Sequence, residues 1–164
     1  MQQEEEQLKS SPQIYQITSE ECRLQEELKA IFKPFPWASK FVLDYTCYVH
    51  LIDDIIDEPK DSERTLQAFA LANIIYSNPF YQQNCVALSV VEALINNDYA
   101  DSVAWEKSEV DWQKKHADVL RHSGYHMFFA VVLLLAGRDK LREISARFRA
   151  YSHEVHLYDI CKAL

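Results

Sequence analysis

Only two glycines, Gly124 and Gly137, and five prolines punctuate this chain of 164 residues. Glycine and proline are the strongest local breakers, so their scarcity predicts long helices joined by few interruptions. It also argues against glycine-rich phosphate cradles of the Walker or Rossmann kind, which need backbone close to phosphate. The length suits one domain with a sizeable core. A hydrophobic fraction of 48% is too high for a disordered chain.

The breakers divide the chain into an expected all-α bundle of about seven helices. Residues 1–17 read as a polar tail, and residues 18–164 as one helical domain. Thr18 and Glu21 have capping-box spacing, and Leu24, Leu28 and Ile31 follow at helical spacing until Pro34-Phe35-Pro36. Further helices are expected over 37–58, 62–76, 80–95, 98–121, 122–136 and 139–162. Pro59, Asn78-Pro79, Asn96-Asn97 and Gly137 lie among the breaks. Val86, Val90, Val91 and Leu94 form the apolar stripe of the fourth.

Charge narrows the partners. The net charge is −8, and residues 1–82 carry 7 Lys+Arg against 14 Asp+Glu. Such a chain is a poor candidate for nonspecific nucleic-acid or anionic-membrane binding. Cys22, Cys47, Cys85 and Cys161 form no C-x-x-C pair and read as reduced thiols of a cytoplasmic protein. The polar start is neither a signal nor a transit peptide, and the apolar run Met127 to Ala136 is too short to span a bilayer. A homodimer is compatible with the sequence.

The chemistry concentrates in Asp53-Asp54-Ile55-Ile56-Asp57-Glu58. Asp53 and Asp57 share one helix face, and Asp54 and Glu58 share the next. Like charges at this spacing repel, and the end of a helix disfavours negative charge. The nearest base in sequence, Lys60, lies beyond Pro59. A bound cation would convert this repulsion into coordination, and hard carboxylate oxygens suit Mg²⁺. Below Asp53 at helical spacing lie Val49, Thr46 and Val42, a mostly apolar wall that would suit a lipid tail. A solvated acidic helix end above ordinary core residues accounts for the same pattern.

The segment Leu51 to Glu58 resembles the D-D-x-x-D motif of class I isoprenoid synthases, the trans-prenyl diphosphate synthases and terpene cyclases. The resemblance implies an all-α terpenoid-synthase-like bundle, Mg²⁺ as cofactor and an isoprenoid diphosphate or monophosphate as ligand. Asp53 and Asp57 take the catalytic metal-binding positions, with Asp54 beside them, and Val42, Thr46 and Val49 would line the substrate. Asp98, Ser102 and Glu106 match the three ligand positions of the second cyclase metal motif, (N/D)-D-x-x-(S/T)-x-x-x-E, but Tyr99 stands where its second acid belongs. Asp98 and Ser102 also suit helix capping. Arg149-Ala150-Tyr151 is a loose counterpart of a late Arg-Tyr pair that contacts diphosphate in the family. Full-size members are much longer, and their two motifs lie farther apart.

The implied reaction is metal-assisted departure of the diphosphate, leading to ionisation or condensation. An all-α Mg²⁺-dependent nucleotide pyrophosphohydrolase is the rival enzyme class, although the acidic run Asp53 to Glu58 lacks its E-x-x-E spacing. A non-catalytic prenyl-phosphate-binding protein is the rival outside enzymes. His153-Glu154-Val155-His156 is one residue short of a zincin motif, and His122 and His126 lack a third ligand. Arg138, Arg142, Arg147 and Arg149 read as a solvated face.

Overall fold

Three prolines and an asparagine set the ends of the central helices. Pro36 occupies the first turn of α2 (Pro36–Asp57), where its missing N–H costs nothing, and Pro59 follows the helix's end. Asn78 caps α4 (Pro79–Glu106): its side chain accepts the Phe80 N–H at 2.8 Å, and Pro79 takes the first helical position. Around them lie α1 (Ser19–Phe32), α3 (Ser62–Ser77), α5 (Asp111–Arg121), α6 (Tyr125–Glu154) and α7 (Leu157–Lys162), with a 3₁₀ turn at His122–Gly124. These elements come from a computed structural model that describes residues 19–59, 62–154 and 157–164, apart from the side chains of 153–158. The tail 1–17, Thr18, Lys60 and the His153–His156 motif lie outside this description.

All regular structure among the described residues is helical, as the breaker pattern predicts. The division differs from the expected one. Six helices have eleven or more residues, and α7 has only six. The break expected at Asn96-Asn97 is absent, because Leu88, Ile95 and Ser102 continue one inward face straight through it. Asparagine costs a helix interior only about 0.7 kcal/mol or less, so packing prevails. The chain turns instead after Glu106, where the Val110 N–H donates to Ser108 Oγ at 3.1 Å and Trp105 meets Trp112 edge-on at 5.3 Å. At Gly137 the long α6 does break. Its φ of 81° and ψ of 174° belong to a region that only glycine enters without strain.

α2 packs against α1, α3, α4, α6 and α7. Phe32, Phe41, Phe128 and Phe148 are fully buried, and Phe128 stacks on Phe148 at 4.2 Å. Glu27 joins α1 to α6 by accepting from Arg147 (3.2 Å) and Lys140 (3.2 Å). The Arg147 hydrogen bond, outweighing the opposing effect of burial, holds the Glu27 carboxyl down to about 2. Arg147 therefore belongs to an inter-helix clamp rather than to the solvated face expected of it.

One further expectation changes. The stripe Val86, Val90 and Leu94 faces outward, with exposures of 82%, 60% and 60%, while Leu88 and Ile95 are buried. The stretch Asp111–Ser152 contains a window long and apolar enough, by length and composition, to cross a membrane. Within that window only 39% of residues are buried.

Candidate functional site

The acidic end of α2 lies against the second half of α4 and the end of α5. Tyr99 Oη donates to Asp53 Oδ1, so the residue that departs from the second motif bonds directly to the first. Burial, then the Asp53 hydrogen bond and charge, push the Tyr99 phenol above its ordinary range. Arg121 completes the junction. Its Nη2 lies 2.8 Å from Glu106 Oε1, its Nε lies 3.8 Å from Asp53 Oδ1, and its guanidinium sits 5.8 Å from the Tyr99 ring centre. Asp53 and Glu106, one from each predicted motif, therefore converge on one guanidinium.

A second arginine serves the neighbouring face. Arg64, from the first turn of α3, lies 3.2 Å from Glu58 and 4.0 Å from Asp54. The expectation that no base relieves the acidic run is thus corrected: the chain reverses at Pro59 and brings Arg64 back, while Arg121 arrives from a distant helix. Asp57 is exposed beside this cluster, near enough for its charge to act on Tyr99.

The remaining predicted residues divide. Ser102 is fully buried and its hydroxyl donates to the Tyr99 carbonyl at 2.7 Å, so it is turned into its own helix, away from any ligand. Asp98 is half-buried on α4. Val42 and Thr46 belong to the core, where Thr46 Oγ1 donates to the Val42 carbonyl at 2.9 Å and lies 3.6 Å from Cys161 Sγ. Val49 packs at the core's margin, 3.7 Å from where a side chain on Gly124 would begin. Arg149 lies over the Phe129 ring at 4.9 Å, and Tyr151 is buried where the charges of Glu21 and Asp159 reach it. The cysteines are free thiols, and burial pushes Cys161 up to about 12. A cavity of about 540 Å³ opens at the other end of α2, lined by Phe32, Lys33, Pro36 and Leu164 among others.

As placed, these residues do not fit Mg²⁺. The facing oxygens of Asp53 and Glu106 are engaged by Tyr99 and Arg121. Among the described residues no three His, Cys, Asp or Glu side chains gather closely enough to hold a metal ion. The arrangement instead neutralises carboxylates from α2 and α4 with arginines from α3 and α5. Neither arginine was legible as a site residue, since Arg64 reaches Glu58 only through the chain reversal at Pro59, Arg121 comes from a separate helix, and neither lies within a motif. Tyr99 carried a signal, as the one mismatch in an otherwise matching run.

No known protein-family model, curated protein or solved structure matches this chain.

Proposed function

We propose that this protein binds the diphosphate head of an isoprenoid at the end of the bundle where Asp53, Asp57, Glu106 and Arg121 meet. One observation carries the reading. Two motifs that resemble the paired acidic motifs of class I isoprenoid synthases lie on different helices, and a carboxylate from each reaches the same guanidinium. Arg121 is also a group of the right chemistry for a diphosphate, since its planar fork matches phosphate oxygens. The proposed kinship with a terpenoid-synthase-like bundle rests on these motifs alone. Mg²⁺ enters the reading only as a cation that must replace Arg121 between Asp53 and Glu106.

The reading stops at binding. Ionising a prenyl diphosphate requires an apolar space that keeps water from the carbocation. Val42 and Thr46, the lower part of the expected wall, are instead packed in the core. Calorimetric titration with geranyl diphosphate, with and without Mg²⁺, tests the proposal in wild type and in Arg121→Met. We expect binding that does not require Mg²⁺ and that weakens about tenfold in the variant, equivalent to ~1.4 kcal/mol. Absence of binding at about 1 mM ligand, near −4 kcal/mol, would overturn it.

A second reading is favoured by the arginine pairing itself: the cluster is a structural lock between α2, α4 and α5, with no ligand. It predicts no heat with any prenyl diphosphate in the same titration.

A further inference from the structure

α4 is apolar on two opposite sides, and the bundle uses only one. Leu88, Ile95 and Ser102, seven residues apart, face inward and are buried. On the opposite side Val86, Val90, Ala93, Asn97, Ala100 and Ala104 follow one another at alternating steps of four and three, and every one of them is exposed. That alternation is the spacing of a helix–helix seam. Val86 and Val90 are 82% and 60% exposed, and Leu94, 60% exposed, flanks them. Exposed apolar side chains gathered on one face of a helix mark an interaction surface.

We infer that this seam is covered by α4 of a second copy of the same chain. Charge selects the occupant. The exposed residues of α4 from Gln82 to Ala100 include no Asp, Glu, Lys or Arg; the first exposed acid along the seam is Asp101 near its end, which accepts from Asn97 Nδ2 at 3.2 Å. Glu92 is turned to the bundle side, where Tyr76 Oη donates to it at 2.5 Å and Tyr81 Oη at 3.4 Å. A chain of net charge −8 repels its own copy over most of its surface. A two-fold axis sets a patch against itself, so any charge there would meet its like. The uncharged stretch from Val86 to Ala100 is where such a chain can approach itself. An anionic membrane would call instead for lysine or arginine beside the stripe, as on amphipathic interfacial helices. Ala93, Ala100 and Ala104 leave room for two helices to lie close, and Asn97 occupies one seam position in the way that a lone polar residue fixes register.

Area sets the strength. From Val86 to Ala104 the seam runs roughly 27 Å at 1.5 Å per residue, and a helix is about 10 Å wide. The footprint of ~270 Å² is well below the ~800 Å² per partner of a stable complex, so the dimer is weak and reversible.

Sedimentation equilibrium of the full chain from about 5 to 500 µM tests this. The mass should rise with concentration from 19.2 kDa towards twice that value. Val90→Glu should stay monomeric throughout, with an unchanged melting curve at low concentration, because the site is exposed in the monomer. Val86→Lys, at the most exposed position of the seam, should behave the same and stands in if Val90→Glu fails to fold. A wild type that remains monomeric over the whole range, or charged variants that dimerise as wild type does, overturns the inference. So does a monomer that floats with phosphatidylcholine vesicles and loses this property in Val90→Glu, since the face would then belong to a membrane.

Discussion

Replacing Arg121 with methionine keeps much of the side chain's length and apolar stem while removing the one group that holds Asp53 and Glu106 together. The cost follows from exposure. The side chains of Arg121, Asp53 and Glu106 are 28%, 33% and 42% exposed, so water screens them in part. A fully exposed pair contributes ~0.2–1 kcal/mol, and a hydrogen bond to a charged group ~1.5–3 kcal/mol. A half-buried 2.8 Å contact with Glu106 and a longer 3.8 Å one with Asp53 fall between, at about 1–2 kcal/mol. With an unfolding entropy of ~2.1 cal/mol/K per residue, a chain of this size should lose ~3–6 °C in Tm. Melting followed by circular dichroism at pH 7 and low ionic strength measures it, and added NaCl should narrow the difference. The variant also frees the carboxylates, so Mg²⁺ should now raise its Tm more than that of wild type. At tenfold above a dissociation constant the gain is ~1.4 kcal/mol, or about 4 °C here. A variant that melts within 1 °C of wild type at low salt would refute the claim that Arg121 locks α2 to α4.

Two further perturbations reach other parts of the fold. The Glu27 carboxyl is held at about 2 against an ordinary 4.5, so the clamp is complete above pH 4.5 and is lost as pH falls from there towards 2. Unfolding free energies from urea titrations at pH 5 and pH 2.5 should differ by about 1–2 kcal/mol more in wild type than in Glu27→Gln, a figure discounted for the solvent that reaches this 20% exposed side chain; equal pH dependence in both proteins would remove the clamp. Phe148→Ala deletes a fully buried ring that stacks on Phe128 at 4.2 Å and meets Phe129 edge-on at 5.4 Å. The loss should be ~3–5 kcal/mol in chemical denaturation, and one below 1 kcal/mol would mean that this end of the core is loosely packed.

The legible parts of the fold are those decided within a few residues. Pro36, Pro59, Asn78-Pro79 and Gly137 act through their own backbone chemistry, and the helices stop or break where they stand. Asn96-Asn97 has no comparable veto, so the inward faces of Ile95 and Ser102 carry α4 through it. Periodicity failed on α4 for a related reason. Valine, alanine and leucine surround that helix, and nothing local says which of two apolar sides meets the bundle; only the packing of its neighbours chooses Leu88 over Val86. At the candidate site the acids were visible as a local excess of charge. Arg64 and Arg121 were not, because the reversal after α2 and the turn after α4 bring them there.

Tyr99 shows how one position redirects the chemistry of the others. An acid there would have faced Asp53 as a like charge, which a bound cation or a shared proton would have had to relieve. The phenol instead donates its own hydrogen to Asp53, which fills part of that carboxylate's accepting capacity and adds no charge. What remains near the junction is Asp53, Asp57 and Glu106 against the single positive charge of Arg121. That balance is negative enough to attract a cation. Yet a metal ion must displace a guanidinium already held at 2.8 Å and must compete with a hydroxyl for the same oxygen. Both terms act against Mg²⁺, which sheds its water reluctantly and demands near-ideal octahedral geometry. Whatever binds this end of the bundle therefore has to offer Arg121 something in exchange for its carboxylates, and a diphosphate, with its charge and its paired oxygens, is the chemistry suited to do so.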